Sequence, residues 1–141
     1  MKWFETRTRV RWSEVDSQGI VYYANYFTYF DLAREHLILT VGLDYINTGV
    51  DVLTMNCDAK FHTPARYLDD LIVRVAIRYP EVPQYSFQYQ IQRAIGRQVL
   101  VEGTSRHCLV DRKTRKLVTK VPEEYRDLFL DAGIFPNKVI Q

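Results

Sequence analysis

Tyr26-Phe27-Thr28-Tyr29-Phe30-Asp31-Leu32-Ala33-Arg34-Glu35-His36-Leu37-Ile38-Leu39-Thr40-Val41 is the stretch that decides the fold. Apolar side chains recur at Tyr26, Phe30, Ala33, Leu37 and Val41, the spacing of one face of an α-helix. Asn25 precedes them as the N-cap candidate, and Gly42 follows in the place of a C′ glycine. Together they bound one helix of about four turns. Thr28, Asp31, Arg34 and Glu35 fall toward its other side, so the stripe Tyr26, Phe30, Ala33 and Leu37 reads as core.

Outward from this helix the pattern changes period. Before it, Thr6 to Trp12 alternates as a strand, and Ser13 to Gly19 is a polar turn. After Gly49, Asp51 to His62 is the next strand candidate. Leu71, Val73, Val75, Ile77 and Tyr79 then alternate with Arg74, Ala76 and Arg78. Tyr85, Phe87, Tyr89 and Ile91 interleave with Ser86, Gln88, Gln90 and Gln92 in strict period two. Gln98 to Val110 follows, and Asp111 to Arg115 turns the chain into a strand over Lys116 to Val121. Pro122 opens a short terminal helix, Glu123 to Asp131. Strand, long helix and then short-turned strands make an α+β domain, residues 1–141, with one helix wrapped by a curved antiparallel sheet. Such a sheet leaves an open edge, and a second copy is the natural cover, so a homodimer or homotetramer is expected.

Composition narrows the function classes. With 47% hydrophobic and 26% charged residues the chain reads as an ordinary globular protein. A net charge of +2 permits an anionic ligand without calling for nucleic acid. The basic run Arg112-Lys113-Thr114-Arg115-Lys116 lacks interleaved aromatics and reads as a solvated hairpin turn. Cys57 and Cys108 stand apart and are expected as reduced, buried thiols. His36, His62 and His107 show no metal-ligand spacing, so no metal or other cofactor is expected, and no GxSxG elbow is present. Met1 to Trp12 has no secretory apolar core. The longest uncharged run, Ser17 to Phe30, is too short for a membrane span, which points to the cytoplasm.

The chemistry concentrates just before the helix. Asp16-Ser17-Gln18-Gly19 has the residues of a type I turn, which by itself explains Asp16 and Gly19. The turn, however, leads within ten residues into a helix whose first N–H groups carry partial positive charge. A carboxylate facing an oxyanion held by backbone N–H groups is what acyl transfer needs. Glu14, two residues away, either opposes ionisation of Asp16 or is simply solvated.

The run Asp16-x-x-Gly19-Ile20-Val21-Tyr22-Tyr23-Ala24-Asn25-Tyr26, with Phe30-Asp31-x-Ala33-Arg34-Glu35 and Gly42, closely resembles the 4-hydroxybenzoyl-CoA thioesterase family. It looks most like the acyl-CoA thioesterase branch related to the Tol–Pal-associated enzymes. A second, less specific match is Lys60-Phe61-x-x-Pro64-Ala65-Arg66-Tyr67-x-Asp69-Asp70. Many members of that branch have histidine where Tyr23 stands. The resemblance implies a hot-dog fold, dimeric or tetrameric, with sites between subunits and acyl-CoA or acyl-carrier-protein thioesters as substrates. It implies Asp16 as nucleophile or general base, and the N–H groups of Tyr23 and Ala24 as oxyanion donors. Gly19 would shape the substrate loop, and Lys60 and Arg66 would meet the CoA phosphates. Two alternatives share the fold: an acyl-chain or carrier-protein binding module without turnover, and a hydratase or dehydratase, whose paired histidine and carboxylate are not found here.

Overall fold

The computed structural model describes residues 2–44, 46–81, 84–120, 123, 126 and 127. Its elements in chain order are β1 (Phe4–Arg9), α1 (Asn25–Val41), β2 (Val50–Phe61), β3 (Asp70–Glu81), β4 (Gln84–Arg93) and β5 (Val99–Asp111). The five strands form one antiparallel sheet in the order β1-β3-β4-β5-β2. β1 and β2 are therefore the two edges, and α1 carries the chain across one face from one edge to the other.

Helix α1 forms because its spaced apolar residues have a sheet to bury against. Tyr26, Tyr29, Phe30, Ala33, Leu37, Ile38 and Val41 are all buried. Each large side chain so covered contributes about 1.5–3 kcal/mol. Gly42 ends the helix as expected, with φ 78° and its N–H on the carbonyls of Ile38 and Leu39. The start differs from expectation. Asn25 is the first helical residue, the cap position falls on Ala24, and no side chain caps the end. The Asn25 side-chain amide instead donates to the carbonyl of Glu14 at 2.8 Å, which lies closer at hand than its own backbone.

Under α1 the inward residues of β3 (Leu71, Val73, Val75, Ile77) are no more than 4% exposed. Phe87, Tyr89 and Ile91 of β4 continue that layer, as the alternation predicts. Phe30 lies flat on Tyr89, ring centroids 4.4 Å apart, and this is possible only because β5 has Gly103 beneath it. A Cβ on Gly103 would come within 2.5 Å of the Phe30 ring.

Two strand expectations are corrected. β1 runs from Phe4 to Arg9, earlier than Thr6 to Trp12, because Trp12–Glu14 forms a 3-10 turn closed by Glu14 Oε1 on the Arg11 N–H at 2.8 Å. The Lys116–Val121 strand reduces, among the described residues, to a single bridge between Val110 and Leu117. Of the terminal helix, Glu123, Arg126 and Asp127 are helical, and the rest lies outside the described residues. Cys108 is buried, but Cys57 is exposed; both are free thiols.

Candidate active site

One residue, Glu14, ties the segment between β1 and α1 to the helix. Glu14 accepts the Arg11 N–H through Oε1 and also the Tyr29 phenol, at 3.1 Å. Its carbonyl accepts the Tyr22 N–H at 2.9 Å and the Asn25 amide at 2.8 Å. Glu14 is thus neither solvated nor merely a like charge beside Asp16; it ties the loop to the helix. Burial, and after it the nearby Glu14 carboxylate, push the Tyr29 phenol pKa well up, so Tyr29 stays a donor. Sequence reasoning missed this role. The signal was there in an acidic residue three positions after Arg11, the spacing that closes a single turn.

Within that frame Asp16 sits in the expected turn. The Gly19 N–H meets the Asp16 carbonyl at 3.0 Å, and Gly19 takes φ 76°. That backbone is costly for any residue with a Cβ, although the space beside Gly19 is open. Asp16 Oδ1 accepts the Gln18 N–H at 2.8 Å, an Asx-type bond. Among the described residues its Oδ2 has no donor.

At the helix start the N–H groups of Asn25, Tyr26 and Phe27 bond to the carbonyls of Tyr22, Tyr23 and Ala24, at 2.8, 3.3 and 3.2 Å. Tyr22 is taken by Glu14. Among the described residues the N–H groups of Tyr23 and Ala24 have no acceptor, and both residues are exposed. At the start of α1, these two amides are the ones singled out in the sequence.

The passage from β2 to β3 closes the other side. Arg66 bridges Ile20, and the Tyr67 N–H reaches the Gly19 carbonyl at 3.3 Å. Tyr26 Oη accepts the Ala65 N–H at 3.0 Å, fixing this passage to α1. The Arg66 guanidinium is exposed and forms no ion pair among the described residues. Tyr67 meets Trp12 edge to face at 5.3 Å, and Trp12 is 75% exposed, an aromatic rim beside the loop. The Ile20–Arg66 bridge and the Gly19–Tyr67 bond set Arg66 against the loop that carries Asp16 and Gly19, and the Tyr23 and Ala24 amides follow that loop at the start of α1.

Lys60 is not. It pairs in register with Glu102, so it points to the sheet face turned away from α1. There it belongs to a polar belt crossing the sheet: Arg97–Glu5 at 2.7 Å, Glu5–Arg74 at 3.2 Å, Arg74–Gln90 at 3.0 Å, Gln90–Glu102 at 3.2 Å and Glu102–His62 at 3.0 Å. The His62 hydrogen bond, with Gln90 and the Lys60 charge behind it, holds the Glu102 carboxyl below its usual range. His62 itself is exposed and is hydrogen-bonded to Glu102.

One helix on a curved five-stranded antiparallel sheet is the hot-dog fold, and solved structures match it closely. The Synechocystis 1,4-dihydroxy-2-naphthoyl-CoA thioesterase Slr0204 superposes with TM-score 0.85 at 20% identity, covering 94% of this chain and 98% of that one. A hypothetical protein from Aquifex aeolicus gives TM-score 0.81 at 27% identity, covering 89% and 98%. Among curated sequences, the provisionally named acyl-CoA thioesterase YneP of Bacillus subtilis is 28% identical over 86% of each chain. The thioesterase-like superfamily profile matches residues 10–129. The chain belongs to the thioesterase-like superfamily, and its class is thioester hydrolase. None of these relatives is named as Tol–Pal-associated, so the likeness supports the family and not that branch.

Proposed function

We propose that this protein hydrolyses acyl thioesters of coenzyme A or of an acyl-carrier protein, with Asp16 as the reacting carboxylate. The observation that carries the reading is the pair of unpaired N–H groups at Tyr23 and Ala24, beside a turn whose carboxylate keeps one oxygen free. A thioester carbonyl between them develops its negative charge against those donors. Each is worth about 2.7–4 kcal/mol in the transition state. Asp16 then acts by one of two routes. It attacks the carbonyl carbon, expelling the thiolate and leaving a mixed anhydride that water cleaves, or it takes a proton from a water that attacks directly. Arg66, unpaired at the rim, is placed to meet phosphate oxygens of the leaving group.

Two copies joined along β2 complete the site in this proposal. β1 is a 6-residue edge guarded by Glu5, Arg7 and Arg9, whereas β2 is 12 residues long and leaves Leu53, Met55 and Phe61 about half exposed. Phe61 packs on Tyr26 at 5.5 Å, so a copy added at this edge lies beside the start of α1. Two free thiols fit a reducing cytoplasm.

The test is release of free thiol from a panel of acyl-CoAs by wild type and Asp16→Asn. The variant is expected to lose at least about 10²-fold in kcat with its circular dichroism unchanged. Turnover near wild type would refute Asp16. One observation favours the second reading, a non-catalytic acyl-binding module: Asp16 Oδ1 already serves the turn through Gln18. That reading prevails if wild type binds acyl-CoAs but releases no thiol from any of them.

A further inference from the structure

The helix does not cover the sheet evenly, and the uncovered part has a charged wall. By register, Phe61, Ala59, Cys57 and Thr54 of β2 share the helix-side face with Val101, Gly103, Ser105 and His107 of β5. Phe61, Cys57 and Thr54 are nevertheless exposed, so an open trough runs beside α1. Three residues one helical turn apart form its other wall. Tyr26 meets Phe61, Phe30 lies over Gly103, and Arg34 reaches His107. Near the helix start the trough begins where Tyr26 meets Phe61, and its helix wall is aromatic through Phe30 until Arg34.

Arg34 departs from the sequence reading, which put it on the solvated side of the helix. Its Nη1 lies 2.9 Å from Nε2 and 3.3 Å from Nδ1 of the fully buried His107. His107 Nε2 is also 2.7 Å from Ser105 Oγ, which meets Tyr89 Oη at 2.7 Å, and Thr54 Oγ1 lies 3.3 Å from Nδ1. These polar groups occupy core positions where apolar residues would cost nothing to desolvate. Their effect is to hold a guanidinium at one place along an apolar trough. It remains 26% exposed, and among the described residues its Nε has no acceptor. Its only carboxylate partner among the described residues, Asp31 at 3.0 Å, is itself 69% exposed.

From these positions, and resting on the thioesterase reading above, we infer that Arg34 recognises the far end of the acyl group, and that preferred substrates carry a carboxylate there. Ala24 and Arg34 are ten residues apart on one helix, about 15 Å along its axis at the α-helical rise. A medium-length acyl chain spans that distance from the oxyanion donors. Its distal carboxylate replaces Asp31 on the guanidinium as a two-point, charge-assisted pair. Asp31, already largely in solvent, turns away at little cost.

The experiment compares kcat/KM for decanedioyl-CoA and decanoyl-CoA, read as thiol release, in wild type, Arg34→Met and Asp31→Asn. Wild type is expected to favour the dicarboxylic ester at least about tenfold, the ratio for one charge-assisted pair. Arg34→Met brings the ratio to near one. Asp31→Asn, a change at an exposed side chain, raises it by removing the competing carboxylate. A wild-type ratio near one, or a ratio that neither substitution moves, overturns the inference while leaving the hydrolase standing. Absence of thiol release from both esters and from the whole acyl-CoA panel overturns the hydrolase and this inference with it.

Discussion

The two halves of the helix-side face of the sheet are built alike and end differently. Over β3 the inward residues Leu71, Val73, Val75 and Ile77 are sealed beneath α1. Over β2 the inward residues Phe61, Cys57 and Thr54 stay open. Both strands are 12 residues long. The difference lies in where the helix mainly rests, against β3 and β1, with Tyr26 on Phe61 as a lesser contact with β2. The sealed half holds the fold together, and the open half is where a ligand and a second copy have room.

Substitutions of matched size in the two halves sharpen this contrast. Leu71→Ala is expected to lower stability by about 2–5 kcal/mol, read as the urea midpoint, because it empties a sealed position. Phe61→Ala is expected to cost only about 1 kcal/mol. It should instead shift sedimentation toward monomer at low concentration. Equal stability losses without any change in association would erase the distinction.

His107, at the border between the halves, gives the contrast a pH dependence. Burial first, and then the Arg34 charge, lower its pKa from the ordinary 6.5 to about 4. The unfolded chain therefore binds a proton between those values that the folded chain does not. Stability is full above about pH 6.5 and falls as pH drops toward 4, by about 3 kcal/mol in all. Urea midpoints at pH 7.5 and 4.5 measure the loss, and His107→Gln should flatten it. An undiminished acid slope in that variant would assign the loss to carboxylates instead. Comparable in size is the effect of Gly103→Ala, at the foot of Phe30, where the added methyl would also meet the Asp58 carbonyl and costs about 1–3 kcal/mol through overpacking, read as the urea midpoint.

Much of this frame was legible in the residues. The period change at Tyr26 announced the helix, and Tyr85 to Gln92 announced a strand with one apolar face. The turn at Asp16 and the free amides at Tyr23 and Ala24 stand where the motif implied. What the sequence hid was which face of each strand is covered. Alternation says that Lys60 and Phe61 point to opposite faces, but not that the helix lies on the side of Phe61. Along β2 even parity fails, because the register shifts between Thr54 and Asn56 and exchanges the faces on either side. Cys57 was assigned to the core because its strand looked buried; it lies inward under no helix. Arg34 misled for another reason. A long side chain on the flank of a helix can reach a buried partner that no local pattern reveals.

Glu14 carries a consequence for the order in which the molecule takes shape. Two of its four bonds run to residues of α1, Asn25 and Tyr29, and a third to Tyr22 just before it. Before the helix docks, the loop with Asp16 keeps only its ties to the passage between β2 and β3. The shape of this loop therefore depends on the helix being docked, and a chain with every strand in place but α1 undocked would lack these three bonds.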